Sequence, residues 1–240
     1  MGRLNFYTTE TNYNTSKNSF DYPTVAYVEE TEKVKWMTLQ DKYKREYLTF
    51  TALESGTFTL TIPSQIGTNG INSISYSVDN GKTWVTTENS SSAVTITTPT
   101  ITTGNKILWK GNSSYFALRS GKEIYNSQFS STGEFSISGN IMSLIGGDNF
   151  VTTTVFESER ALAYVFSNVT KLKDASNLIL PVEAVYDSCY SNMFQGCTSL
   201  TTAPALPATT LADNCYNDMF QNCTSLTTAP ELPATTLTFG

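Results

Sequence analysis

The feature that most constrains this chain is a near-perfect duplication close to its carboxyl end. Residues 189–210 (CYSNMFQGCTSLTTAPALPATT) return 26 residues later as 215–236 (CYNDMFQNCTSLTTAPELPATT), with four of the 22 positions changed. A unit this short cannot bury its apolar side chains alone, so it is stabilised by stacking on its neighbours. The duplication therefore predicts a solenoid of stacked repeats, whose long regular surface suits binding better than catalysis.

The chain before this duplication carries a weaker copy of the same unit. Residues 157–181 align with it as a degenerate first repeat, in which Phe166 takes the place of Phe194 and Pro181 that of Pro207. Phe166 lies 28 residues before Phe194, whereas Pro181 lies 26 residues before Pro207. The first repeat therefore contains two additional residues, which we place near 176–177.

Apolar residues in each full repeat are spaced as on one face of a helix. We therefore expect short helical turns, with Tyr190 and Tyr216 at the edge of the buried face. The runs 200–204 and 226–230 (both LTTAP) then predict short extended segments that stack as a parallel ladder. The residues of the helical face are Cys189, Met193, Phe194 and Cys197 in one repeat, and Cys215, Met219, Phe220 and Cys223 in the other.

The four cysteines of the chain all lie in these repeats, at two equivalent positions in each. Such regularity is compatible with a disulfide framework or a metal site. The favoured interpretation is a ladder of small buried thiols, because cysteine is among the most frequently buried residues. The spacing of eight residues between cysteines also matches no common zinc pattern.

Composition excludes several classes of function. The chain of 240 residues has no histidine, which removes Ser-His and Cys-His nucleophile pairs and every histidine-containing metal site. A net charge of −6, with few clustered lysines or arginines, argues against a nucleic-acid partner. No run of about 18 apolar residues is present, so we expect no membrane insertion. The scattered carboxylates, among them Glu157, Glu159 and Asp174, form no recognisable constellation, and we identify no catalytic residue, cofactor or metal site.

Residues 1–45 are predicted to form a polar N-terminal arm. Within it, the runs 20–28 and 33–37 alternate apolar and polar residues around the acidic residues 29–32, as the two strands of a hairpin would. An isolated hairpin is marginally stable in water. We therefore expect the arm to become ordered against a partner protein or sister copies.

The rest of the chain predicts a mainly β fold in three further parts. Residues 46–111 are typical of a small β-sandwich-like domain, 112–156 of a β connector with a strand-like run at 133–139, and 157–240 of the repeats with their short helical turns. The strands expected in the first of these parts are Tyr47–Ala52, Thr57–Ile62, Ser73–Val78, Thr83–Thr87, Val94–Thr98 and Lys106–Lys110.

The run SVDNGKTW at 77–84 fits the S-x-D-x-G-x-T-W pattern of an Asp box, which sialidases and other propellers repeat. In this motif the Asp bonds turn amides, the Gly permits a positive φ and the Trp packs beneath the turn. One copy cannot build a propeller. We therefore interpret the run as a structural hairpin, with glycosidase activity as the disfavoured alternative.

The run F-x-x-C-x-S-L-x-x-x-x-x-L-P, at 194–207 and again at 220–233, resembles BspA-like leucine-rich repeats, which are common in surface proteins of Bacteroides-type gut bacteria and of their phages. The resemblance implies a right-handed solenoid with one strand per turn. The sections YLTFTALESGTFTLTIP, SYSVDNGKTW and GNIMSLIGGDNF are similar to a module joined to these repeats in the same organisms. The opening FDYPTVAYVEETEKVKWM resembles an N-terminal element of virion and prophage-encoded structural proteins.

Two functions follow from the resemblance. In the first, the chain is a non-enzymatic fibre or head or tail decoration protein at the surface of a phage virion. Its N-terminal arm docks on capsid or tail proteins, and its repeats meet a glycan or protein of the host surface. In the second, the chain is a bacterial cell-surface adhesin. The start of the chain lacks the apolar core of a secretory signal, which favours the phage protein.

These roles indicate the candidate site residues. For attachment to the virion they are aromatic residues of the arm: Phe20, Tyr22, Tyr27 and Trp36. For host binding they are polar residues expected on the outside of the repeats: Thr201, Thr227, Asn192 and Asp218. The chain stops part-way into a further repeat without a polar cap, so we expect either more chain or cover by another copy. The symmetry of viral fibres implies a homotrimer, an expectation that a stable monomer in analytical ultracentrifugation would contradict.

Overall fold

The computed structural model describes residues 4–7, 24–28, 33–37, 46–88, 92–180 and 185–235. The fold is mainly β, with 35% strand and 5% helix, as the sequence predicts. The strands within these residues form four sheets, none of them closed. The described helices are short: α1 (Gly67–Gly70), α2 (Ser143–Gly146) and a 3-10 turn at Gly147–Asn149. No helix in these ranges is long and apolar enough to cross a membrane.

The largest sheet has six strands and gathers residues from distant parts of the chain. Its strand order is β14-β13-β4-β9-β6-β7, and all neighbouring pairs are antiparallel except β13 with β14. One sheet therefore joins the residues predicted as a sandwich domain, a connector and a first repeat. Its strands are β4 (Leu48–Ala52), β6 (Ile71–Ser77), β7 (Val85–Glu88), β9 (Lys106–Ser113), β13 (Phe135–Asn140) and β14 (Leu172–Ile179).

A second sheet of three strands faces it across the core. Its order is β12-β5-β8, with β5 (Phe58–Ile62), β8 (Val94–Thr97) and β12 (Gln128–Ser131). The alternation typical of a strand with one buried face is present in β5, because alternate residues from Phe58 are buried and the threonines between them are not. The hairpin of β10 (Ala117–Ser120) and β11 (Glu123–Asn126) completes this part of the fold.

Phe50 of β4 lies where the two sheets meet. It is fully buried, and its ring centroid lies 5.4 Å from that of Phe58 and 5.0 Å from that of Phe129, both in the facing sheet. It also lies 5.8 Å from Trp109 and 6.0 Å from Phe166 of the first repeat. Such tilted and edge-on ring contacts add to the free energy of burial itself. The sheets and the repeats therefore share one hydrophobic core.

The six strands expected between residues 46 and 111 are all present, with ends displaced by three residues at most. The predicted N-terminal hairpin is also confirmed: β2 (Thr24–Val28) pairs antiparallel with β3 (Lys33–Met37). A further strand, β1 (Leu4–Tyr7), adds to β2 in parallel. Among the described strands, these three pair only with one another.

The prediction of helical turns in the repeats is wrong. Instead, a chain of four-residue turns runs through three stacked turn segments, which we define as 160–169, 188–197 and 214–223. In each of them every fourth residue has a positive φ, a conformation that asparagine, aspartate and glycine adopt most readily. These residues are Arg160, Tyr164 and Asn168 in the first, Ser188, Asn192 and Gly196 in the second, and Asn214, Asp218 and Asn222 in the third.

The backbone N–H groups of a turn segment divide into two alternating sets. In one set, each N–H donates to the carbonyl three residues earlier, as Met193 does to Tyr190. In the other, each donates to a carbonyl of the next segment, as Tyr190 does to Cys215 and Phe194 to Met219. Four such bonds of 2.6–3.1 Å join the first segment to the second and four of 2.8–3.0 Å join the second to the third, and a fifth in each set ends on the residue just before the segment, Asp187 or Asp213. The segments are therefore linked by a continuous, one-directional ladder.

Aromatic rings stack along the same direction. The ring of Phe166 lies 5.7 Å from that of Phe129 in β12 and 5.5 Å from that of Phe194, which in turn lies 5.6 Å from Phe220. The N–H groups of Phe116 and Phe129 donate to the carbonyls of Ala161 and Val165. The sheets thus cover the first turn segment with both hydrogen bonds and an aromatic ring.

Among the described residues, the expected parallel ladder of extended segments is formed between the first two repeats. There, Thr201 donates to the carbonyl of Lys173, and Thr202 forms a single parallel bridge with Asp174 in β14. No strand is assigned in the described residues of the third repeat, where Pro230 removes a backbone donor, as Pro204 does in the second. The stretch of β14 from Leu172 to Asn177 advances by five residues and pairs with a stretch of β13, from Phe135 to Ser138, that advances by only three. Two register shifts accommodate the difference. These shifts coincide with the two extra residues inferred for the first repeat.

The four cysteines form the predicted ladder of buried, unbridged thiols. The Sγ of Cys197 donates to the carbonyl of Phe166 at 3.0 Å, and that of Cys223 to the carbonyl of Phe194 at 3.0 Å. Burial raises the pKa of all four thiols above the ordinary value. All four cysteines are therefore packing residues, and the thiols of Cys197 and Cys223 also link one repeat to the one before it.

The ladder predicts a difference in amide hydrogen exchange between equivalent residues of successive repeats. The amides of Tyr190 and Phe194 donate to the third segment, whereas those of Tyr216 and Phe220 have no backbone acceptor among the described residues. We expect exchange at Tyr216 and Phe220 to be faster by at least about tenfold, because an unpaired amide needs no opening of structure. Residue-resolved NMR or mass spectrometry measures this, and equal protection would show that the third segment also has acceptors.

The thiols predict slow alkylation in the native protein. Only the thiolate reacts, so a pKa raised by burial suppresses reaction at pH 8. With iodoacetamide we expect Cys223, which is 8% exposed, to react before Cys197, which is 0% exposed, and both to react far faster in denaturant. Peptide mass spectrometry gives the order. Rapid native alkylation of Cys197 would contradict this packing.

Candidate binding surfaces

Two of the four residues predicted for virion attachment lie in described strands. Phe20 and Tyr22 are outside the described residues, whereas Tyr27 lies in β2 and Trp36 in β3. Tyr27 pairs with Val34, and Trp36 with Val25. Because side chains alternate between the faces of a sheet, positions 27 and 36 share a face. The hairpin thus brings together two aromatic positions nine residues apart in the sequence.

Three of the four residues predicted for host binding are exposed. Thr201 and Thr227 occupy equivalent places in successive repeats, and Asp218 lies in the third turn segment. The hydroxyl of Thr201 already donates to the carbonyl of Lys173 at 2.8 Å, and the carboxylate of Asp218 accepts from Gln221 at 3.1 Å. Thr227 makes no side-chain hydrogen bond to any described residue.

The prediction that Asn192 points outward is wrong. Its side chain is 7% exposed and accepts a hydrogen bond from the hydroxyl of Ser191 at 2.7 Å. The reason is the backbone, since Asn192 has a φ of +56° and lies at one of the turn positions that favour asparagine. The third segment stacks beyond it, and the N–H of Asn192 donates to Asn217. The asparagine at this position of the repeat is therefore explained by its backbone conformation.

The Asp box forms the structural hairpin that the sequence predicts, between β6 and β7. One carboxylate oxygen of Asp79 accepts from the N–H of Thr83 at 2.9 Å, and the other from the hydroxyl of Thr83 at 2.6 Å. The Ser77 hydroxyl also donates to Asp79, and Gly81 has the expected positive φ of 82°. Hydrogen bonds from Thr83, followed by that from Ser77, hold the pKa of Asp79 well below its usual value. The carboxylate is thus committed to the turn.

Trp84 at the end of the motif packs in a cluster that the sequence does not reveal. The Nζ of Lys110 lies 4.2 Å from the ring centroid of Trp84 and 2.7 Å from a carboxylate oxygen of Asp148. The hydroxyl of Tyr47 donates to the same carboxylate at 2.7 Å. Hydrogen bonds from Lys110 and Tyr47 lower the pKa of Asp148, while burial and this carboxylate raise that of Tyr47. The cluster fixes the 3-10 turn that carries Asp148 against the six-stranded sheet.

This fixed turn forms one wall of a cavity of about 480 Å³. The cavity lies between the end of β9 and residues 145–157, and a second cavity of about 270 Å³ begins on the other side of Glu157. Glu157 lines both, so the two cavities adjoin at this residue, where the sheets meet the first turn segment, and we treat them together as one groove. We call it the junction groove. The groove could not be predicted from local sequence patterns, because its lining residues are separated by up to 74 positions, from Asn112 to Tyr186.

A shallower depression lies between the second and third repeats. Its volume is about 390 Å³, and it is lined by Ala203, Pro204, Ala205 and Leu206 of the second repeat and by Pro230, Glu231 and Pro233 of the third. Its walls are mostly apolar, in contrast to the junction groove. It belongs to the regular outer surface of the stack, on which equivalent residues recur from one repeat to the next.

Among the described residues, no three acidic or cysteine side chains lie close enough together to hold a metal ion. Comparison of the chain with family models, with curated proteins and with solved structures finds no match. A function for this chain is therefore inferred from its own residues.

Proposed function

We propose that this chain is a non-enzymatic structural and adhesive protein of a phage virion, in the manner of a fibre or a head or tail decoration. Its N-terminal strands attach to capsid or tail proteins, and its C-terminal repeats, of the BspA-like leucine-rich type, face the host surface. The observation that carries the proposal is the ladder-linked stack of turn segments.

The ladder supports adhesion because it repeats outward side chains at equivalent places. Thr201 and Thr227 are exposed at the same point of successive repeats, and side chains also join across the stack, as Gln195 does to Gln221. Contacts that are weak singly become strong when several engage together on one rigid support. A repeated surface on a shared core meets that requirement.

The N-terminal sheet supports attachment. Its three strands pair with no other described strand, so its own edges are available for pairing with another chain. Tyr27 and Trp36 share one face of it. Aromatic residues of this kind supply much of the free energy of protein interfaces.

The same stack would serve a bacterial cell-surface adhesin, and location separates the two functions. Immunogold electron microscopy, with antibody against residues 157–240, is carried out on purified phage and on cells from the same source. We expect label on the particles, at a head or tail position. Label on the cell envelope with bare particles would replace the phage protein with the adhesin.

Adhesion through the repeats predicts a loss of binding when the exposed polar residues are removed together. We expect the triple variant Thr201→Ala, Thr227→Ala and Asp218→Ala to bind host cells at least about tenfold more weakly, as measured by flow cytometry of the labelled full chain. The matched control is Thr209→Ala with Thr235→Ala, two exposed threonines at equivalent places elsewhere in the repeats. Unchanged binding of the triple variant would exclude these residues from the contact.

A further inference from the structure

The junction groove is lined by polar side chains that are free to bind a ligand. In the larger cavity, the side chains of Asn112, Ser114, Asn149 and Glu157 make no hydrogen bond to any described part of the chain. Ser113, only 5% exposed, also lines it, and its hydroxyl has no partner among the described residues. A buried hydroxyl without a partner costs free energy that a ligand or water recovers. These groups together offer both donors and acceptors.

The charges of the groove point to a neutral ligand. No cationic side chain of the described residues lines the larger cavity, so an anion placed there would find no partner among them. In the smaller cavity the two arginines face two glutamates, and Arg160 is already paired with Glu159 at 2.8 Å. The Nε of Arg119 donates to the carbonyl of Gly121. An apolar ligand is equally unsuited, because it would leave the amides and hydroxyls unpaired.

The groove also offers apolar surfaces beside these polar groups. Val155, which is 63% exposed, lines the larger cavity, and Tyr115 and Tyr186 line the smaller one, with Tyr186 49% exposed. Sugar rings present hydroxyls at their edges and C–H groups on their faces, so they suit mixed walls of this kind. Volumes of about 480 and 270 Å³ on the two sides of Glu157 leave room for more than one ring.

We propose that the junction groove binds a neutral oligosaccharide that crosses Glu157 from one cavity to the other. Asn112, Asn149 and Glu157 hydrogen-bond its hydroxyls, and Tyr186 packs against a ring. The proposal rests on the adhesive function above, to which it assigns a ligand class and a site distinct from the threonines of the repeats. The rigid cluster of Lys110, Asp148 and Trp84 holds the wall of the groove in place before the ligand arrives.

The test uses the full chain on an array of neutral, sialylated and sulfated oligosaccharides, followed by titration of the neutral compounds that bind. We expect binding to neutral compounds, with a dissociation constant at least about tenfold higher for Glu157→Ala and for the double variant Asn112→Ala, Asn149→Ala. The control is Glu231→Ala, which places at an exposed site the alanine found at the equivalent position 205. Thermal unfolding checks that each variant is folded. We expect no loss of stability, because the side chains removed make no hydrogen bond to any described part of the chain.

Each outcome has one meaning for the site. The proposal would be overturned if no neutral compound binds, if only acidic oligosaccharides bind, or if the folded groove variants bind as tightly as the unchanged chain. Failure of the adhesive function is distinguishable, because immunogold label would then be found neither on the particles nor on the cells. Oligosaccharide binding that is lost in the groove variants and kept in Glu231→Ala supports the groove in either case.

Discussion

The arrangement of backbone hydrogen bonds in the turn segments is the constraint on which the repeats depend. Alternate N–H groups are used within a segment, and the others point to the carbonyls of the next one. This division requires a positive φ at every fourth residue, and Asn, Asp or Gly occupies most of those places. Two of the four differences between the near-identical repeats, Asn192 against Asp218 and Gly196 against Asn222, fall at such positions and exchange residues that tolerate this backbone.

The sheets give the stack a fixed beginning. Carbonyls of the first turn segment have no earlier repeat to bind, and the N–H groups of Phe116 and Phe129 take that role. Phe129 also starts the row of rings that continues through Phe166 and Phe194, while Phe50 joins this row to the facing sheet. The part of the chain without repeats is thus a cap that turns a one-directional ladder into a folded unit. The junction groove lies where this cap meets the first turn segment.

The strands could be predicted from the sequence because alternation and turn residues are local signals, as in Phe58–Ile62 and the Asp box hairpin. The backbone conformation of the repeats could not be predicted, because the spacing of Cys189, Met193 and Cys197 fits a helix and a chain of four-residue turns equally. A chain of four-residue turns differs from a helix in the positive φ at residues such as Asn192 and Asp218, which the spacing of apolar residues does not encode. The groove escaped prediction for a different reason, since Asn112, Asn149 and Glu157 meet only after the sheets have formed.

The direction of the ladder limits how copies of this chain can associate. The described third segment presents the N–H groups of Tyr216, Asp218 and Phe220 without backbone acceptors, so its edge offers donors only. Two copies meeting through this edge would oppose donors to donors, and the cap already occupies the carbonyls of Ala161 and Val165 in the first segment. Association of two copies through their third segments is therefore unfavourable. The N-terminal sheet, whose edges pair with no other described strand, is better suited than this edge to association between copies.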